Sequence, residues 1–168
     1  MRARFLTAAA LLASVALRPA AAQGKVDFSG SWKINTEKSD PMGGGMGGGG
    51  GGGGGGGMAN AVTTITQTAT QLTVETKFGD QTRTATYFLD GKESTNQGRM
   101  GETKSKVHWD GGALVIESTG TYTGPNGVMT VTSKEVRTLG DDGKTMTVVT
   151  TRTTPNGEVT TKRVFDKQ

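Results

Sequence analysis

Side chains able to carry acid–base, nucleophilic or metal chemistry are scarce in this chain of 168 residues. His108 is the single imidazole, and there is no cysteine. Catalysis by a nucleophile and a general base needs a constellation of positioned partners, and this inventory builds no triad. A catalytic metal needs H-E-x-x-H, paired histidines or a cysteine cluster, none of which occurs. Carboxylate pairs remain conceivable, but Glu93, Glu102, Glu117 and Asp110 fall at turn or alternating strand positions where solvated side chains are the economical reading. Met42, Met46 and Met58 carry soft thioethers suited to Cu(I), with no His or Cys beside them. The chain therefore reads as non-enzymatic, with no cofactor or metal. The residue that stands out chemically is Arg163, which alternation in EVTTKRVFDK places on the same side as Val159, Thr161 and Phe165.

The elements that must position Arg163 are short strands. From Thr63 onward the chain alternates, β-branched residues dominate, and turn signals recur at the spacing of an all-β sandwich or barrel. Asp90-Gly91, Asp110-Gly111, Pro125-Asn126-Gly127, Asp142-Gly143 and Pro155-Asn156-Gly157 are reversals of the kind that join antiparallel neighbours. About eight to ten strands so connected predict an up-and-down antiparallel β-barrel, whose closure also removes exposed edges. A flatter sandwich or an open curled sheet is the alternative, because no local signal encodes closure. The segments ALVIEST and GTYTG read as separate strands. In ETKSKVHW the set Glu102, Lys104, Lys106 and His108 faces outward, opposite Thr103, Ser105, Val107 and Trp109. One face of most strands is Thr, Lys, Glu and Ser, which argues against a barrel embedded in lipid.

Gly47 to Gly57 form an unbroken run of glycine. A phosphate-binding loop would deliver its glycines to a helix N-terminus, whereas this run leads into the strand pattern AVTTITQ. Without side chains it buries nothing to offset its ordering entropy, so residues 41–60 are expected to be a disordered loop between the first two strands. A mobile flap over a barrel mouth and a tolerated loop expansion both fit.

At the N-terminus, Arg2 and Arg4 precede an apolar run from Phe5 to Leu17 and the small string Ala20, Ala21, Ala22. This is the pattern of a secretory signal over residues 1–22, cut after Ala22. The apolar run is shorter than the roughly 20 residues of a membrane span, although an uncleaved anchor is the competing reading. Of 19 basic residues, Arg2, Arg4 and Arg18 leave with the segment, so 16 face 15 acidic ones. The net charge of +4 thus belongs to the precursor, and it gives no support for nucleic-acid binding. A single domain over residues 23–168, secreted or periplasmic and monomeric, is expected.

Two segments carry a resemblance. DFSGSWKIN resembles the F-x-G-x-W-K opening of lipocalins and fatty-acid-binding proteins, with Phe28, Gly30, Trp32 and Lys33 on the motif. EVTTKRVFDK looks like the last strand of fatty-acid-binding proteins, in which an R-x-Y pair holds the ligand carboxylate; Arg163 takes the Arg position and Phe165 replaces the Tyr. As a whole, Asp27 to Lys33 with Lys38-Ser39, Asp90 to Glu93, Trp109 to Ile116 and Asp142 to Thr145 resemble a group of secreted bacterial lipocalin-like proteins with no attached activity. The resemblance implies a lipocalin-like barrel and a cavity near Arg163.

On this reading the protein binds a small, largely apolar ligand, which an anionic head would tie to Arg163. Phe165, Trp32, Trp109, Tyr87 and Phe78 are the candidate wall residues, with core packing as their alternative role. A structural or protein-interaction module of the cell envelope, with a filled interior and no small ligand, is the rival.

Overall fold

A computed structural model describes residues 26–41, 61–97, 101–124, 127–154 and 157–168. Residues 1–22, expected above to be a secretory signal, the Gly47–Gly57 run, Met42, Met46, Met58 and the Pro-Asn pairs at 125–126 and 155–156 lie outside the described residues.

The alternating segments form ten strands: β1 (Gly30–Asn35), β2 (Val62–Gln67), β3 (Gln71–Phe78), β4 (Gln81–Phe88), β5 (Ser94–Gln97), β6 (Glu102–Asp110), β7 (Ala113–Gly124), β8 (Gly127–Leu139), β9 (Thr145–Thr154) and β10 (Gly157–Lys167). They make one antiparallel sheet in the order β4-β3-β2-β1-β10-β9-β8-β7-β6-β5. Every neighbour in that order is consecutive in sequence except β1 and β10, whose pairing of Trp32 with Lys167 and Ile34 with Phe165 joins the two ends of the chain. The meander expected from the hairpin signals is therefore the observed topology. ALVIEST and GTYTG are one continuous strand, β7. Gly120 does not interrupt it, because the residue is buried and laddered to Thr103 on one side and Val131 on the other.

Turn chemistry sets the register. Gly111, between β6 and β7, has φ +58°, and Gly143, between β8 and β9, has φ +63°, values that cost a side chain with a Cβ and cost glycine little. At the second turn the Asp142 carboxylate accepts from the Lys144 amide at 2.8 Å. Leu139 is thereby paired with Met146, and Arg137 with Val148.

The sheet curls until its outer strands, β4 and β5, meet without a backbone ladder between them. Side chains take over that role. Asn96 accepts from the Thr86 amide at 2.8 Å and donates to the Thr86 carbonyl at 3.0 Å, while the Ser94 hydroxyl accepts from the Phe88 amide at 2.8 Å. Three edge groups that a strand partner would otherwise satisfy are thus paired, and the barrel is nearly closed.

The interior holds a packed apolar core of Phe28, Trp32, Ile65, Leu72, Leu114 and Met146, with Val107 and Ile116 beside them. Trp32 is fully buried, and its indole N–H donates to the Phe28 carbonyl at 2.9 Å. Trp109 stacks on Phe28 with ring centroids 6.2 Å apart. Outward parity is as expected on β6, where Glu102, Lys104, Lys106 and His108 are exposed.

Candidate functional site

The polar groups inside the barrel sit on β8 and β10. On β8, alternation turns Glu135 and Arg137 to the same side as Leu139, and register carries that side to Val148 on β9. Val148 is in turn laddered to Arg163 on β10. Arg137, Val148 and Arg163 thus form one lateral row, with the two arginine backbones about 10 Å apart across two strand spacings.

These residues border a cavity of about 160 Å³. Ile34, Val74, Met146 and Phe165 give it apolar walls, Thr63 and Thr76 supply hydroxyls, and Phe78 also borders it. Its charged lining consists of Glu135, Arg137 and Arg163. The Arg137 Nε donates to Glu135 Oε1 in an ion pair whose side chains are 8% and 26% exposed. Burial opposes the charge on Arg137, and the Glu135 carboxylate more than offsets it, so the guanidinium pKa lies above its ordinary value. Tyr87 shares this environment: burial pushes its phenol pKa up, and the Glu135 charge adds to the effect. Arg163 is half-buried and makes no ion pair among the described residues.

Such a set offers an anion a planar guanidinium fork beside an apolar wall. Its one carboxylate, Glu135, is paired with Arg137. Among the described residues no group of three or more His, Cys, Asp or Glu side chains comes together. Glu93, Glu102, Glu117 and Asp110 are all exposed.

The structure brings together three of the six residues singled out from sequence. Arg163, Phe165 and Phe78 line the cavity. Trp32, Trp109 and Tyr87 do not border it: Trp32 is part of the core, and Trp109 and Tyr87 are packed against that core. Phe28 ties two of these rings together, accepting from the Trp32 indole N–H at 2.9 Å and stacking on Trp109. Tyr87 still reaches the site electrostatically, through Glu135 and Arg137.

Sequence reasoning missed Arg137 and Glu135. Their signal was present in the hairpin: counting back from the Asp142-Gly143 turn pairs Leu139 with Met146, and alternation then turns Arg137 and Glu135 inward. A larger concavity, of about 610 Å³, lies over β6 to β10. Its charged lining, including Lys104, Lys106, Glu117 and Lys134, has the outward parity and mixes both signs.

No protein-family model matches the chain, and no curated protein sequence does. Solved structures do match its fold. The zebrafish ileal bile acid-binding protein complexed with cholic acid is 16% identical, with a TM-score of 0.52 over 84% of this chain and 98% of that one. The REP1-NXSQ fatty acid transporter is 15% identical, with a TM-score of 0.56 over 84% and 96%. A secretory abundant heat soluble protein from Ramazzottius varieornatus is 17% identical, with a TM-score of 0.54 over 86% and 97%. At these identities the likeness is one of fold alone: a near-closed antiparallel barrel, formed in this chain by ten strands.

Proposed function

We propose that this protein is a non-enzymatic carrier or sensor of a small, largely apolar molecule with an anionic head, held in the barrel by Arg163 with Arg137 beside it. One observation carries the reading: Arg163 borders an apolar-walled cavity and has no carboxylate partner among the described residues. A guanidinium drawn partly out of water gains most from an anion that replaces the lost hydration. The fold supports the same direction, since two barrels similar to this chain are a bile acid-binding protein with cholic acid bound and a fatty acid transporter. We further propose that the protein acts as a monomer outside the cytoplasm, after removal of residues 1–22. That proposal rests on the charged, apolar and small-residue pattern of its first residues.

The test is native mass spectrometry of the protein isolated from the compartment to which it is exported, followed by tryptophan fluorescence titration with fatty acids and bile acids. A carrier retains added mass or gives a saturable change, and Arg163→Ala weakens it for anionic ligands only. Absence of both signals across the panel would leave the envelope module with no small ligand as the better account.

A further inference from the structure

The second half of the cavity's charge is a carboxylate, and it constrains what the site accepts. We propose that Glu135 sets the charge of the ligand: the cavity is matched to a small monocarboxylate with a body of about benzene size, and it discriminates against dianions such as phosphate monoesters. This inference rests on the anion-binding reading above and narrows it.

Charge supplies the first argument. Arg137 and Arg163 contribute two positive charges to the lining and Glu135 one negative, so the cavity carries +1. Glu135 already occupies Arg137, which leaves Arg163 as the guanidinium available to a ligand. Other cations share the inward parity but are solvated. Arg83, laddered to Thr76, lies near the β3–β4 turn; Arg152, laddered to Val159, lies near the β9–β10 turn; Lys167 sits over the Trp32 ring at 5.3 Å. All three are exposed and none borders the cavity. Tyr87 is held neutral by its raised pKa. A monoanion at Arg163 brings the cavity to zero charge. A dianion leaves an excess negative charge in a cavity that Glu135 also lines, and like charges in a partly desolvated site repel.

Volume supplies the second argument. A dry apolar cavity of about 150 Å³ accommodates benzene, and this partly open one, with threonine hydroxyls and charged groups in its wall, measures about 160 Å³, room for a body of that size. An aryl or short alkyl body fits between Val74, Met146 and Phe165, with its carboxylate turned to Arg163.

The test uses three probes of one shape, benzoate, phenyl phosphate and benzamide, titrated calorimetrically at pH 7.5 into the folded domain. Wild type is expected to prefer benzoate over phenyl phosphate by at least about tenfold. Glu135→Gln raises the cavity to +2 and should shift that ratio toward phenyl phosphate by about tenfold or more. Arg163→Gln lowers it to zero and should bind benzamide at least as well as benzoate. This second variant removes a half-exposed side chain without unpairing a buried charge, so it stays informative if Glu135→Gln does not fold. An unchanged benzoate to phenyl phosphate ratio in folded Glu135→Gln, or a surviving benzoate preference in Arg163→Gln, overturns the proposal. Binding of palmitate or cholate by wild type without binding of benzoate overturns the size assignment while leaving the carrier reading intact. Failure of every anion to bind overturns both.

Discussion

Arg137 and Arg163 flank Val148 in a single row of the sheet, Val148 being the register partner of Arg137 on β8 and of Arg163 on β10. The two guanidinium groups are in different states. Arg137 is buried and paired with Glu135, and Arg163 is half-buried without an ion pair among the described residues. The interior thus holds one arginine tied to a carboxylate and another left without one among the described residues, with the difference set by where a single carboxylate falls in the alternation.

That asymmetry predicts unequal costs. Arg137→Met strands Glu135 in a desolvated site and should lower unfolding free energy by about 3 to 5 kcal/mol, whereas Arg163→Gln should change it by no more than about 0.5 kcal/mol. Adding Glu135→Leu to Arg137→Met should recover most of the loss, because an apolar pair replaces the ionic one. Urea denaturation followed by tryptophan fluorescence measures all three. Equal effects of the two arginine substitutions would contradict the assignment.

The seam between β4 and β5 makes a separate prediction. Asn96 holds both backbone groups of Thr86, so Asn96→Ala should cost about 1 to 3 kcal/mol and speed hydrogen exchange at the Thr86 amide more than at amides inside the β7–β8 ladder. Ser94→Ala should do the same at the Phe88 amide, which its hydroxyl accepts from. Unchanged exchange at both amides would mean that these side chains do not close the barrel.

Tyr87 links the site to pH. Its phenol pKa is raised by burial and by Glu135, so the folded state holds the proton more tightly than the unfolded chain. The stabilisation is complete below the unfolded value near 10 and is lost as pH rises through the folded value. Stability should therefore fall on the alkaline side, and Tyr87→Phe should flatten that limb. Tyrosinate absorbance should show a late-titrating phase in the wild type that disappears in Tyr87→Phe.

Much of this fold is legible in the sequence, for a physical reason. A period of two in side-chain direction, interrupted by Asp-Gly and Asn-Gly pairs, leaves few ways to bury the apolar face other than a curled meander. The β7 segment shows the limit: Gly120 looks like a break, yet it sits laddered between Thr103 and Val131, a circumstance only the neighbouring strands reveal. The seam was invisible because Asn96 and Ser94 act across a gap that no local pattern marks. Arg163 and Phe165 could be placed from their own strand. Arg137 required the register of a neighbouring hairpin, and the separation of Phe78 at the cavity from Trp32 in the core and Trp109 packed against it required the packing of Phe28 against both tryptophans. Alternation tells which side a residue faces, and not whether it packs in the core or borders the cavity.

In the proposed function, Arg163 holds an ionised ligand head inside the barrel. Its most direct test is carbon-13 NMR of carboxyl-labelled benzoate and octanoate bound to the protein, followed across pH. The account predicts a bound carboxyl resonance that stays at its ionised position well below the pH at which the free acid titrates, and that reverts toward free behaviour in Arg163→Gln. A bound resonance that titrates as it does in water, or no bound resonance for these acids or for labelled palmitate and cholate, would contradict it.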